Sequence, residues 1–131
     1  MDPVVHFEMP YDDRDRIAKF YSTVFGWELR MLGEDMGNYV VATTAKPGGP
    51  ARHDAAPGAI GGGFFQRKPD WPAQYPSVVI AVQDIRASMK KVAGAGGEVL
   101  GEPMPIPGVG DYVSFFDTEK NRLSLLQPLM G

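Results

Sequence analysis

The chain has 131 residues, 44% of them hydrophobic, which is long and apolar enough for one compact domain with its own core. Sixteen acidic side chains against thirteen basic ones leave a formal charge of -3, and no basic run could neutralise phosphates, so nucleic acid is excluded as an expected partner. The absence of cysteine removes disulfides, thiolate ligands and cysteine nucleophiles together, and only His6 and His53 can supply an imidazole.

Residues 4 to 10, VVHFEMP, alternate at the period of a strand. Val5, Phe7 and Met9 fall on one face and Val4, His6 and Glu8 on the other. A histidine and a carboxylate two residues apart suit half a metal site, an acid/base pair or the polar lining of a pocket. A helix is expected from about Asp13 to Val24, with Ile17, Phe20, Tyr21 and Val24 as its apolar stripe. Arg14, Asp15, Arg16 and Lys19 form its solvated side, and Gly26 supplies the left-handed stop. Phe20, Tyr21, Phe25 and Trp27 read as core.

Short strands follow in WELRML and in MGNYVV, residues 36 to 41. The next loop, TTAKPGGPARHDAAPG, carries His53 and Asp54, a third donor set if it folds over the first strand. AIGGGFF, residues 59 to 65, reads as a strand. Its glycines lack the Lys-Ser/Thr of a phosphate loop and the order of a dinucleotide site, and instead signal a close approach or a bulge. QRKPDWPAQYP, with three prolines, is a linker at 66 to 76.

The order then repeats. SVVIAV is a strand, and DIRASMKKV a helix with Ile85, Ser88, Met89 and Val92 on one stripe. Gly94, Gly96 and Gly97 are its stop, and EVLGEP is a strand. VGDYVS at 109 to 114 answers MGNYVV, so that Tyr39 and Tyr112 are equivalent: packing residues whose polar tips reach a pocket. DTEKN at 117 to 121 is a turn, in which a left-handed conformation at Lys120 would cost about 1 kcal/mol. RLSLLQ is the last strand. The chain is thus β-α-β-β-β written twice: module one about 4 to 65, module two about 77 to 128, within a single domain spanning 1 to 131.

This order, with HFE near the start, FYSTVFGW after it and D…NRLSLLQ near the end, resembles the vicinal oxygen chelate superfamily, and most closely its small glyoxalase-like and bleomycin-resistance-like members. The resemblance implies an α+β fold in which two βαβββ modules form a curled mixed sheet, a cup with the helices on its outer face. It also implies a homodimer, for which Trp71 and Tyr75 of the linker are candidate interface aromatics.

Metal-binding members of the superfamily place a ligand on the first and last strand of each module. Carried over, those positions are His6, Gly61 (or Gly62 with a one-residue slip), Ser77 and Ser124. Only His6 is a strong donor; Glu8 adds a second on the same face.

The resemblance therefore implies two functions. One is binding of a small, largely apolar ligand, with Tyr39, Gly61, Ser77, Val79, Tyr112 and Ser124 as contacts, Val4, Ala81 and Leu126 as further lining, and no cofactor. The alternative is a lyase, isomerase or dioxygenase that holds a divalent metal on His6 and Glu8. A metal-free form of that enzyme would use the same two residues as an acid/base pair, with Glu8 raising the imidazole pKa. No apolar stretch reaches bilayer length and MDPVVHFEMP lacks signal-peptide character, which predicts a cytoplasmic protein.

Overall fold

In the computed structural model, residues 1–45 and 58–129 are described. The candidate donors His53 and Asp54 lie outside the described residues. The chain divides into two compact units, His6–Pro76 and Met1–Val5 with Ser77–Gly131. Among the described residues no helix is long and apolar enough to cross a membrane.

In the first unit, β1 (Val4–Tyr11) leads to α1 (Arg14–Phe25), β2 (Glu28–Met31), β3 (Val40–Thr43) and β4 (Gly61–Gln66). The strand order is β2-β3-β4-β1, with β1 and β4 parallel and the other neighbours antiparallel. Alternation sorts the side chains as the sequence requires. Phe7, Met9 and Tyr11 turn to the face that α1 covers and join Val40, Ala42 and Phe64, with Ile17, Tyr21, Trp27 and Leu29 packed on them. Phe64 and Val40 are fully buried.

The helix begins where Asp13 Oδ1 accepts the Arg16 amide at 3.0 Å, and ends at Gly26, whose φ of 72° is left-handed. The expected apolar stripe is corrected: Ile17 and Tyr21 pack inward, but Phe20, Val24 and Phe25 are 53, 54 and 60% exposed. Helix rotation places Ile17 and Tyr21, one turn apart, on the sheet, and the neighbouring positions fall outside the contact.

In the second unit β5 (Ser77–Ala81) is followed by α2 (Ile85–Gly94), β6 (Glu98–Val99), β7 (Met104–Ile106), β8 (Gly110–Phe116) and β9 (Arg122–Pro128). The order is β5-β9-β8-β6, with β7 also on β8, and again the first and last strands, β5 and β9, are parallel. Val4 and Val5 belong with this unit, where the Pro3 carbonyl accepts the Ala81 amide at 2.9 Å. Val82, Ile85, Val113, Phe115 and Leu125 make its core, with Met89 and Val92 of α2 packed against it.

Strand β7 was not expected from the proline-bearing segment MPI. Its ladder runs Met104↔Tyr112 to Ile106↔Gly110, at the side of β8 where an edge strand tolerates proline. Of the glycines expected to stop α2, Gly96 is the one that does so. Gly94 is the last helical residue and Ala95 the cap, and the left-handed turn falls to Gly96 at φ 100°. The first module is therefore βαβββ and the second follows the same plan with one extra strand, β6 and β7 both pairing with β8; each is α+β, with a mixed sheet and its helix on one face.

Candidate functional site

The helix-free face of the first module carries the polar groups. In the parallel register His6 lies opposite Gly61 and Glu8 opposite Gly63, so these four share one face, while Phe7 and Gly62 share the other. The carried-over ligand position is thus Gly61; Gly62 points toward the core, its absent side chain replaced by the ring of Phe7. On β3, Val41 pairs with Gly63, which brings Tyr39, two residues earlier, onto the same face.

There the Tyr39 hydroxyl donates to Glu8 Oε2 at 2.9 Å and lies 3.0 Å from His6 Nε2. Tyr39 is thus more than a packing residue with a polar tip: its hydroxyl links the two side chains singled out on β1. Glu8 is only 8% exposed, so its carboxylate is a buried polar group held by hydrogen bonding. Burial also acts on His6, pushing its pKa below the ordinary 6.5. The expectation that Glu8 raises the imidazole pKa is corrected. Desolvation disfavours the charged ring and is the largest influence on it.

The glycine strand explains how the tyrosine gets there. A Cβ on Gly63 would overlap the Tyr39 hydroxyl and ring, and a Cβ on Gly62 would overlap the ring of Phe7. The close approach expected at IGGGF is therefore that of an aromatic side chain at Gly62 and at Gly63, one on each face, and of a backbone at Gly61, where a Cβ would stand 3.1 Å from the Ala42 carbonyl oxygen. Gly63 was missed in the sequence reading; its spacing of two from Gly61 was the signal available.

The second module has its own polar group. Val79 pairs with Ser124, and β8 sets Ser114 opposite Ser124 and Tyr112 opposite Leu126, so Ser77, Val79, Ala81, Tyr112, Ser114, Ser124 and Leu126 share the helix-free face of that unit. Ser124 Oγ donates to the Tyr112 hydroxyl at 2.7 Å, and Ser114 Oγ stands 3.1 Å from Ser124 Oγ. Having spent its one proton on Tyr112, Ser124 accepts from Ser114. Ser114, 7% exposed, was not anticipated, although alternation in DYVSFF puts it in step with Tyr112. Val79, 2% exposed, is buried beside this group. The expected site residues therefore fall in two sets, His6, Glu8, Tyr39 and Gly61 in one unit and Ser77, Val79, Tyr112 and Ser124 in the other, while Val4 at the start of β1 is 45% exposed.

These residues do not fit a four-donor divalent metal. Of the positions that the superfamily uses, Gly61 has no side chain, Ser77 and Ser124 are weak neutral donors, and His6 Nε2 faces the Tyr39 hydroxyl. Among the described residues no three His, Cys, Asp or Glu side chains converge as a metal-binding group.

Two modules on the βαβββ plan, each with its first and last strands paired in parallel and a polar helix-free face, define a protein of the vicinal oxygen chelate class. Comparison with known proteins agrees. Residues 4–45 match the family model described as bleomycin resistance protein-like N-terminal. A glyoxylase-like domain-containing protein of Didymella fabae is 30% identical over 117 residues, covering 87% of this chain and 84% of that protein. The chain belongs to the glyoxalase-like, bleomycin-resistance-like family of the vicinal oxygen chelate superfamily.

A provisionally named glyoxylase, CFP32, of Mycobacterium bovis is 35% identical over 122 residues, 92% of this chain and 42% of its own length, so the present chain spans less than half of that relative. Among solved structures, the methylmalonyl-CoA epimerase of Mycobacterium tuberculosis has a TM-score of 0.65 at 15% identity, over 97% of this chain and 88% of that one. The hypothetical protein BH1468 from Bacillus halodurans C-125 reaches 0.69 at 11% identity, over 99% and 96%. At such identities the likeness is one of fold.

Proposed function

We propose that this protein binds a small, largely apolar ligand on the helix-free face of its first module, with His6, Tyr39 and Glu8 as the polar anchor and without a tightly held metal. The observation that carries the reading is the Tyr39 hydroxyl, hydrogen-bonded to His6 Nε2 at 3.0 Å and to Glu8 at 2.9 Å. Polar groups satisfied by one another form a stable floor that needs no ion to complete it. Gly61, opposite His6, adds no side chain to this face. On the second module the same kind of role falls to Ser77, Val79, Tyr112 and Ser124 on its own helix-free face. Two chains pair in this reading, with Trp71 (47% exposed) and Tyr75 (71% exposed) available as interface aromatics.

The test combines metal analysis of the purified protein with thermal melts in divalent cations and in a panel of apolar molecules that carry one polar group. The expected result is no stoichiometric metal, no cation-induced shift, and a raised midpoint with at least one compound that is lost in His6→Ala. Stoichiometric metal that disappears in His6→Ala would overturn the proposal.

A second reading, a metal-free acid/base enzyme, is favoured by one observation: burial keeps the His6 imidazole neutral near pH 7 and so able to accept a proton. In it His6 takes a proton from the bound molecule while Tyr39 and Glu8 hold the ring in place. Conversion of a compound found in the screen, abolished in His6→Ala while the compound still binds, would establish it. The metal-dependent lyase, isomerase or dioxygenase alternative asks for a third strong donor, and among the described residues none joins His6 and Glu8.

A further inference from the structure

We propose that the ligand-facing atom of this site is His6 Nδ1, a hydrogen-bond acceptor set by Tyr39 and Glu8, and that the ligand accordingly presents a hydrogen-bond donor, a hydroxyl or an ammonium, as its polar end. The inference rests on the ligand-binding reading of this face, and deepens it by assigning the protons.

Counting them fixes the direction of the chain. With Glu8 ionised, its carboxylate can only accept, and a tyrosine hydroxyl has one proton to give. That proton goes to Glu8 Oε2 at 2.9 Å. The Tyr39 oxygen therefore meets His6 with a lone pair, and at 3.0 Å the Nε2 atom must be the donor. A neutral imidazole has a single N–H, so with Nε2 protonated the Nδ1 atom is bare. Nδ1 makes no hydrogen bond among the described residues, yet no buried side-chain nitrogen or oxygen there lacks a partner. The bare nitrogen is thus reached from solvent.

Recognition follows from this polarity. A hydroxyl or ammonium hydrogen can be shared with the Nδ1 lone pair, whereas a carboxylate or phosphate oxygen would set lone pair against lone pair. Gly63 is the positioning residue behind the arrangement. It sits opposite Glu8 in the strand register, and a methyl group there would occupy the space of the Tyr39 hydroxyl and ring. Gly63 thereby acts on His6 through Tyr39, without touching a ligand.

Long-range proton–nitrogen correlation spectra of the 15N-labelled full chain, recorded where the ring is neutral, read the tautomer directly; a His6→Gln variant separates His6 from His53. The expected spectrum shows His6 as the Nε2–H form. Tyr39→Phe and Gly63→Ala each shift it to the mixture of forms found in a free imidazole, whereas Gly94→Ala, whose added methyl meets open space, leaves it unchanged. An Nδ1–H form in the wild type overturns the proposal, as does a spectrum unmoved by Tyr39→Phe, which stands alone if Gly63→Ala fails to fold.

Alkylation with iodoacetamide supplies a second readout. Modification of His6 at Nδ1 supports an open acceptor; modification at Nε2, or an untouched His6 beside a modified His53, refutes it. Neither measurement uses a ligand, so a compound screen without binders would sink the binding reading while leaving the tautomer result standing. Once a binder is in hand, its amine and alcohol forms distinguish the two donors, and equal or tighter binding of the matched carboxylate would overturn the recognition rule.

Discussion

Burial lowers the proton affinity of His6 below the ordinary 6.5, so as the pH falls the unfolded chain takes up a proton at this position before the folded one does. The stability associated with a neutral His6 is complete above 6.5 and is lost as the pH falls through the depressed folded value. Between about pH 7 and about pH 5.5 the urea midpoint of the wild type should therefore fall more steeply than that of His6→Gln, which has no imidazole to titrate. Equal slopes would mean that His6 is not desolvated. On the opposite face, Gly62→Ala forces a methyl group into the ring of Phe7, and overpacking of that kind should cost about 1–3 kcal/mol in a denaturant titration. At this scale the sequence was half legible. The alternation that separates His6 and Glu8 from Phe7 and Met9 could be read from VVHFEMP alone. The union of Tyr39 with that pair could not, because it depends on which residues of three strands come into register, and no local period encodes that.

Helix starts were legible to within a residue because Asp13 and Asp84 are side-chain caps, accepting the amides of Arg16 at 3.0 Å and Ala87 at 3.1 Å. Replacing either by alanine should cost about 1 kcal/mol of stability, measured by urea unfolding. The turn before β9 was likewise anticipated. Lys120 has φ of 67°, and Asp117 holds the turn by accepting from the Glu119 and Asn121 amides and from the Asn121 side chain. Lys120→Gly should raise the unfolding midpoint by relieving up to about 1 kcal/mol of strain, less what glycine's freedom returns to the unfolded chain. What escaped the element-level reading has a common cause. Phe20, Val24 and Phe25 match a helical apolar pattern but face outward, and Met104–Ile106 pairs with β8 despite its proline. In each case the tertiary partner, rather than the local pattern, determines what a segment does.

The duplicated plan was the most legible feature of the whole molecule, because a repeated order of elements survives even where individual residues drift. Gly37, Tyr39 and Val40 recur as Gly110, Tyr112 and Val113, and the repeat places both tyrosines on the helix-free faces of their modules. The registers of the two modules are not equivalent at the carried-over positions: His6 lies opposite Gly61, whereas Ser124 lies opposite Val79 and not opposite Ser77. Sedimentation velocity should report two chains per particle; a single species at the monomer mass, 14.3 kDa, would remove the paired arrangement from the proposed function.

The parallel pairing of the first and last strands of each module also bears on how the chain acquires its structure. Neither sheet is complete until its last strand has reached back past a helix and the intervening strands to its first, β4 to β1 and β9 to β5. Such contacts are distant in sequence, which places folding toward the slower end of the range for small domains. Because synthesis proceeds from the N-terminus, β4 can find β1 while the second module is still emerging, but β5 has no β9 to pair with until residues 122–128 have been made. During that interval the exposed edge of β5, with its SVVIA sequence, is the segment most open to mispairing with a neighbouring nascent chain.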